Sequence, residues 1–183
     1  MKKSIFVLLL PAFYLFGCSS NEPKKEEAAA PAAATSTASA ADMKEAKEEK
    51  NKQVALASVN AMSAGNVDGV LKDAATDIID YGDGSGPSMK GTDTARKMIS
   101  QWMNSVENYK GEDLMALADG DHVAVFGTWS GRFKADFMGM KTKGKSFKVR
   151  DVDIFTFNSD GKITEHRNVQ SFETMLNQLS KKK

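Results

Sequence analysis

The chain has 183 residues, with 25 Lys and Arg against 24 Asp and Glu, for a net charge of +1 at pH 7. So close a balance supplies no basic field for a phosphate backbone, which excludes nucleic acid as the expected partner. One cysteine and two histidines, His122 and His166, allow neither an intrachain disulfide nor a tetrahedral zinc site, so no metal and no other cofactor is expected.

Lys2 and Lys3 precede an apolar run from Ile5 to Phe16. The run is too short for a spanning helix and reads as a secretory leader covering 1–17. Directly after it, Leu15-Phe16-Gly17-Cys18 resembles the lipobox of bacterial lipoproteins. That resemblance implies cleavage before Cys18, three acyl chains on that residue and a lipid membrane as partner; a single chain would bind only marginally. Ser19, rather than Asp, is similar to the sorting signal for an outer membrane. The expected location is therefore the cell envelope, at the outer membrane, with the periplasmic and surface sides both open. Residues 18–42 are rich in Ala, Ser, Thr, Pro, Glu and Lys without apolar periodicity, and read as a tether that cannot offset its own ordering entropy. Lys24-Lys25-Glu26-Glu27 within it reads as a solvated charge run or as a surface-export signal.

Residues 43–183 are enough for one domain with a core. The spacing of Val54, Leu56, Val59 and Met62 predicts a helix over 43–63, ended by Gly65. Asn66 opens a short helix through Leu71. A strand over 77–81 and a loop over 82–91 follow. Thr92 or Asp93 then caps a third helix whose stripe is Ala95, Met98, Ile99, Trp102, Met103 and Val106. Beyond it the pattern changes to strands, at 112–118, 122–134, 147–157 and 162–170, with Asp119-Gly120 turning the first into the second. A last helix carries Phe172, Met175, Leu176 and Leu179. Helices, then a strand meander, then a closing helix predict an α+β fold, a cone if the curved antiparallel sheet wraps the N-terminal helices around one central cavity.

Several segments resemble the SnoaL-like polyketide cyclases. Phe137-Met138-Gly139-Met140-Lys141-Thr142-Lys143-Gly144-Lys145 is similar to their Phe-Met-Gly-Ile-Pro-Pro-Thr-Gly-Lys hairpin. Gly120-Asp121-His122-Val123-Ala124-Val125 resembles a strand start of the family; Val152-Asp153-Ile154-Phe155, Asp160-Gly161-Lys162-Ile163, Glu165-His166 and Gln178-Leu179 follow in family order. The resemblance covers about 52–180 and implies the cone of the nuclear-transport-factor-2-like superfamily. The chain also departs from the family. Lys141-Thr142-Lys143 stands for Pro-Pro-Thr, Arg167 for the Trp after Glu-His, and Tyr81 where His is frequent. Asn168 and Ser171 stand where cyclases keep their acid–base carboxylate. The resemblance therefore carries the fold and not the cyclase chemistry.

Strand parity locates a candidate pocket. Asn158-Ser159-Asp160-Gly161 predicts a type I turn with Gly161 in the left-handed bulge position. With Asn158 paired to Lys162, Phe157 faces Ile163, Phe155 faces Glu165, Asp153 faces Arg167 and Val149 faces Ser171. Phe147, Val149, Asp151, Asp153, Phe155 and Phe157 then share the cavity face. Tyr81, Trp129 and Phe137 are added as lining, with Trp129 and Phe137 equally readable as packing under the helices. Asp153 and Arg167 have two readings: a structural ion pair at the wet rim, or a guanidinium offered to an anionic ligand head whose apolar part lies on Phe155 and Phe157. By the same parity His166 faces away, His122 opens a strand in solvent, and Ser171 is an N-cap rather than a nucleophile.

The favoured reading is a tethered module that binds a small, partly apolar ligand without turnover, because an Arg opposite a carboxylate lowers its pKa and unfits it as a base. One alternative is an acid–base enzyme of the isomerase, cyclase or hydratase type, with Asp153 or Asp151 as base. Another is an interaction module, or a homodimer, formed through the outer sheet face at Val152, Ile154 and Thr156.

Overall fold

A computed structural model describes residues 39–137, 139–170 and 172–180. The leader, Cys18, nearly all of the tether, and Ser171 lie outside these residues. Residues 37–183 form a compact unit with its own apolar core, the property that lets a domain fold alone.

Helix α1 spans Ala40–Ser63 and begins inside the segment expected to be tether. Ser39 and Asp42 cause this early start. The Ser39 hydroxyl accepts from the Asp42 amide at 3.1 Å, and the Asp42 carboxylate accepts from the Ser39 amide at 2.9 Å. Gly65 stops the helix, and Asn66 caps the short α2, Val67–Leu71, by accepting from the Gly69 amide at 2.9 Å. Strand β1 (Ala74–Asp80) starts earlier than the apolar pattern alone indicated, and a two-residue β2 (Met89–Lys90) sits in the expected loop. Helix α3 (Thr92–Ser105) is capped by Gly91 without a side-chain bond, so neither Thr92 nor Asp93 has the expected role. Val106 leaves the helical stripe and opens β3 (Val106–Asp119), where Asn108 and Asp113 take positive φ at two register shifts. β4 (His122–Phe133), β5 (Ser146–Phe157), β6 (Ile163–Asn168) and α4 (Phe172–Ser180) complete the chain.

The α+β fold is a six-stranded open sheet in the order β2-β1-β6-β5-β4-β3. β1 and β6 are parallel and every other pair is antiparallel. Bulges in β3 bend it, which curves the sheet around the helices. Ala55 and Val59 of α1 pack on Ile78, Val123, Val125, Trp129, Phe155, Phe157 and Ile163. A second cluster joins Val106, Phe133, Phe137, Phe147 and Met175 around Trp102, whose ring meets Tyr109, Phe133 and Phe137 edge-on at 5.8, 5.7 and 5.3 Å. Trp102 is therefore core, as the helical stripe indicated.

The β5–β6 turn forms as expected: Asn158 donates to the Lys162 carbonyl and Gly161 donates to that of Asn158, both at 3.0 Å, with Gly161 at φ 74°. Phe157 faces Ile163, but Thr156 then faces Glu165. Thr164 is the extra residue, a bulge, and its hydroxyl donates to the Thr156 carbonyl at 3.1 Å. Beyond it the parity of β6 inverts. Phe155 faces His166, Ile154 faces Arg167 and Asp153 faces Asn168. The expected pairs of Phe155 with Glu165 and of Asp153 with Arg167 do not form. The reason is desolvation: without the bulge, Glu165 and Arg167 would stand on the core face beside Phe155.

Deleting Thr164 should return Arg167 to the buried face and lower stability by about 3 kcal/mol or more. Thr164→Val keeps the bulge and loses one hydroxyl bond, for about 1 kcal/mol. Urea unfolding of both variants measures the difference.

Candidate functional site

The inverted parity assembles a half-buried polar cluster on the concave face, with Asp153 its buried member. β6 supplies His166 and Asn168, β1 supplies Asp80 in parallel register with His166, and β5 supplies Asp153 opposite Asn168. The His166 ring lies between the carboxylates, with Nδ1 at 3.2 Å from Asp80 Oδ1 and Nε2 at 3.6 Å from Asp153 Oδ1. Asn168 Nδ2 donates to the same Asp153 oxygen, and the Gly82 amide donates to Asp80 at 2.8 Å. The Phe155 ring covers the imidazole at a centroid distance of 5.0 Å. The cluster still touches solvent, since the side chains of His166, Asp80 and Asp153 are 21%, 23% and 12% exposed.

Burial by itself would lower the pKa of His166, but the bonds to and charges of Asp153 and Asp80 outweigh it and raise the pKa to about 10. Burial would raise Asp80, yet its bond to the imidazolium and to the Gly82 amide holds it below the ordinary carboxylate value. Asp151, half-buried, goes the other way. Burial pushes it up, aided by the charge of Asp153, against bonds from the amides of Gln170 and Val152 at 2.7 and 2.6 Å. Tyr109 is pushed well above its usual value by burial and by Asp153 and Asp151. Two carboxylates around one imidazolium, with a third carboxyl beside them, leave an excess of negative charge.

The structure divides the residues expected to line a pocket. Trp129, Phe137, Phe147, Phe155 and Phe157 are buried in the core, Asp153 is buried, and Val149 and Asp151 are half-buried on the same face. Arg167 and Glu165 lie on the opposite side of the sheet. There Arg167 reaches Glu165 at 3.6 Å and stacks over the Tyr81 ring at 4.9 Å, and the Tyr81 hydroxyl donates to Glu165 at 3.4 Å. The expected Asp153–Arg167 ion pair and its anion-binding fork are thus absent. His166, read as facing away, is the centre of the cluster. A signal for it exists in the sequence: of Glu165, His166 and Arg167, the imidazole is the one ring that can lie against Phe155 and, flanked by carboxylates, have its charge matched on both ring nitrogens. Among the described residues no group of three or more His, Cys, Asp or Glu is placed to hold a metal ion. Two hollows stand out, both away from the cluster. One of about 510 Å³ on the outer sheet face is lined by Met115, Phe126 and Arg150 among others. One of about 250 Å³ lies between Met140 and α4.

The sequence profile of the SnoaL-like polyketide cyclases matches residues 52–179. Among curated proteins none matches the chain. Among solved structures, a polyketide-cyclase-like protein of Xanthomonas campestris is 19% identical, with 73% of this chain and 99% of that one aligned at a TM-score of 0.67. A similar protein of Pseudomonas putida is 20% identical over 71% and 98% of the chains, at 0.65. A protein of Catenulispora acidiphila with a ketosteroid isomerase-like fold, solved in complex with trimethylamine, is 19% identical over 69% and 92%, at 0.58. At these identities the likeness is one of fold.

Because its folded pKa is raised, His166 contributes stability that is full below the unfolded value of 6.5 and is lost as pH rises from there to about 10. Asp80, with a lowered pKa, contributes above 3.8 and loses that as pH falls further. Imidazole NMR of the wild type should show His166 still protonated at pH 8. Asp80→Asn should move its titration toward 6.5 and flatten the stability loss above neutrality.

Proposed function

Because this chain belongs to the SnoaL-like polyketide cyclase family, we propose that it is the ligand-binding module of a membrane-tethered lipoprotein, which holds a small, partly apolar molecule on its concave face without turning it over. The Asp80–His166–Asp153–Asn168 network carries this reading. An acid–base catalyst works best with a group that exchanges its proton near working pH. An imidazole raised to about 10 by two carboxylates keeps its proton at neutrality. The excess negative charge beside Phe155 favours a ligand head that is cationic or donates hydrogen bonds, rather than an anionic one. The Catenulispora neighbour that holds trimethylamine supports the same ligand class. Acylation of Cys18 would place the module in the cell envelope, at the outer membrane.

Mass spectrometry of small molecules copurifying with residues 37–183 tests this. An amine or hydrogen-bond donor that is lost in Asp153→Asn is the expected result. A copurifying carboxylate or phosphate, or a thermal shift with acetate and none with tetramethylammonium, would sink it.

Two observations favour secondary readings. Burial raises the pKa of Asp151 toward the range of a general base, so any proton-transfer activity should disappear in Asp151→Asn. On the outer face Met115 and Leu117 are 53% and 54% exposed beside Phe126, and Val152 and Ile154 stand next to them in register. An apolar surface of this kind suits a homodimer through the sheet. Leu117→Glu should then convert a dimer to a monomer in sedimentation velocity.

A further inference from the structure

The exposed lysines of this domain differ in local density. Around α1 and the β3–β4 turn, lysines meet acids: Lys44 with Glu48 and Asp119, Lys47 with Asp121, Lys52 with Glu49. At the other end of β4, the connection to β5 carries Lys134, Lys141, Lys143 and Lys145, and β5 adds Lys148; all five are exposed. Asp136 reaches Lys141 at 3.2 Å and Glu112 reaches Lys148 at 3.8 Å. Lys134, Lys143 and Lys145 have no ion pair among the described residues. Lys50, Lys72, Lys90, Lys97, Lys110 and Arg150 also lack an ion pair among the described residues, so what marks the hairpin is local density: five exposed lysines close together in sequence, with Asp136 and Glu112 against them.

The hairpin holds these lysines outward. Thr142 is 2% exposed; its hydroxyl accepts from the Phe137 amide and donates to the Ala135 carbonyl, both at 3.1 Å. With Thr142 pinned inward, Lys141 and Lys143 project on either side of it. Beside them lies the groove of about 250 Å³, where Met140, Leu176 and Leu179 present apolar surface between Lys141 and Lys145. Lys141 and Lys145 at a small apolar groove, with Lys134, Lys143 and Lys148 on the same stretch of chain, match the chemistry of a bilayer interface, with anionic headgroups outside and acyl chains beneath.

We propose that the 134–145 hairpin and α4 form a docking surface for an anionic lipid bilayer, with the lysines on headgroup phosphates and Met140, Leu176 and Leu179 against the acyl boundary. The inference is independent of the ligand reading and of Cys18. It is compatible with an anchor at Cys18. Helix α1 begins beside the β3–β4 turn, one length of β4 (12 residues, about 40 Å) from the hairpin. The 21 residues from Cys18 to Ser39 can extend up to about 70 Å, so the hairpin can reach the same membrane.

Residues 37–183, which lack the anchor, are sedimented with vesicles of phosphatidylcholine alone and of phosphatidylcholine with one-third phosphatidylglycerol. Binding to the anionic vesicles alone, weakened by salt, is expected. Each lysine near an anionic surface contributes about a fivefold effect, so the triple variant Lys141→Gln, Lys143→Gln, Lys145→Gln should bind on the order of a hundredfold more weakly. Its three sites are exposed, and an unchanged melting temperature verifies the fold. Met140→Ser should weaken binding further at constant charge. Equal binding to both vesicles, wild-type binding by the triple variant, or retention by soluble polyphosphate with none by vesicles would overturn the proposal.

Discussion

Strand β6 lies between two partners, antiparallel to β5 and parallel to β1, and its sequence places Glu165, His166 and Arg167 in succession. Alternation requires that one parity face the core. A register set by the turn alone would bury two full charges against Phe155, while one extra residue buries a single imidazole that two carboxylates can satisfy. The Thr164 bulge gives up one regular pairing to avoid that desolvation, and its hydroxyl recovers a bond to Thr156. On its other side β6 meets a separate irregularity, where the β1–β6 register slips between Ala74 and Ile79 with the extra residues in β1. The composition of the concave face follows from this one irregularity.

Once His166 is inside, the electrostatics are set by its neighbours. A lone buried imidazole would be neutral, since burial disfavours its charge. Asp80 and Asp153 reverse that preference and make it a fixed cation in an acidic surround. Such a group neutralises its surround and keeps its proton at neutral pH. Two carboxylates of one strand meet different partners: Asp153 faces an imidazolium, while Asp151 accepts from the Gln170 and Val152 amides and burial moves its pKa upward.

The outside of the molecule is partitioned as well. The convex sheet face is apolar at Met115, Leu117 and Phe126, while the hairpin end is cationic. Arg167, turned outward by the bulge, joins Glu165 and Tyr81 in a surface chain that keeps its charge hydrated. A chain of near-zero net charge thus carries three distinct faces.

Most of the architecture was legible from residue order. The stripe from Ala95 to Trp102, the alternation along β4 and β5, the glycine turns and the hairpin motif each encode local geometry, and local geometry is what periodicity reports. Which face of β5 is buried was legible for the same reason, through Phe147, Phe155 and Phe157. Helix starts were less so: the Ser39–Asp42 box extends α1 through residues whose composition resembles a tether, and Gly91 displaces the side-chain caps expected for α3. The identity of the residue facing Asp153 was decided only in three dimensions. A bulge is not written at its own position; it arises because β6 must satisfy β1 and β5 together while keeping Glu165 and Arg167 in water, and that balance exists only once all three strands are side by side.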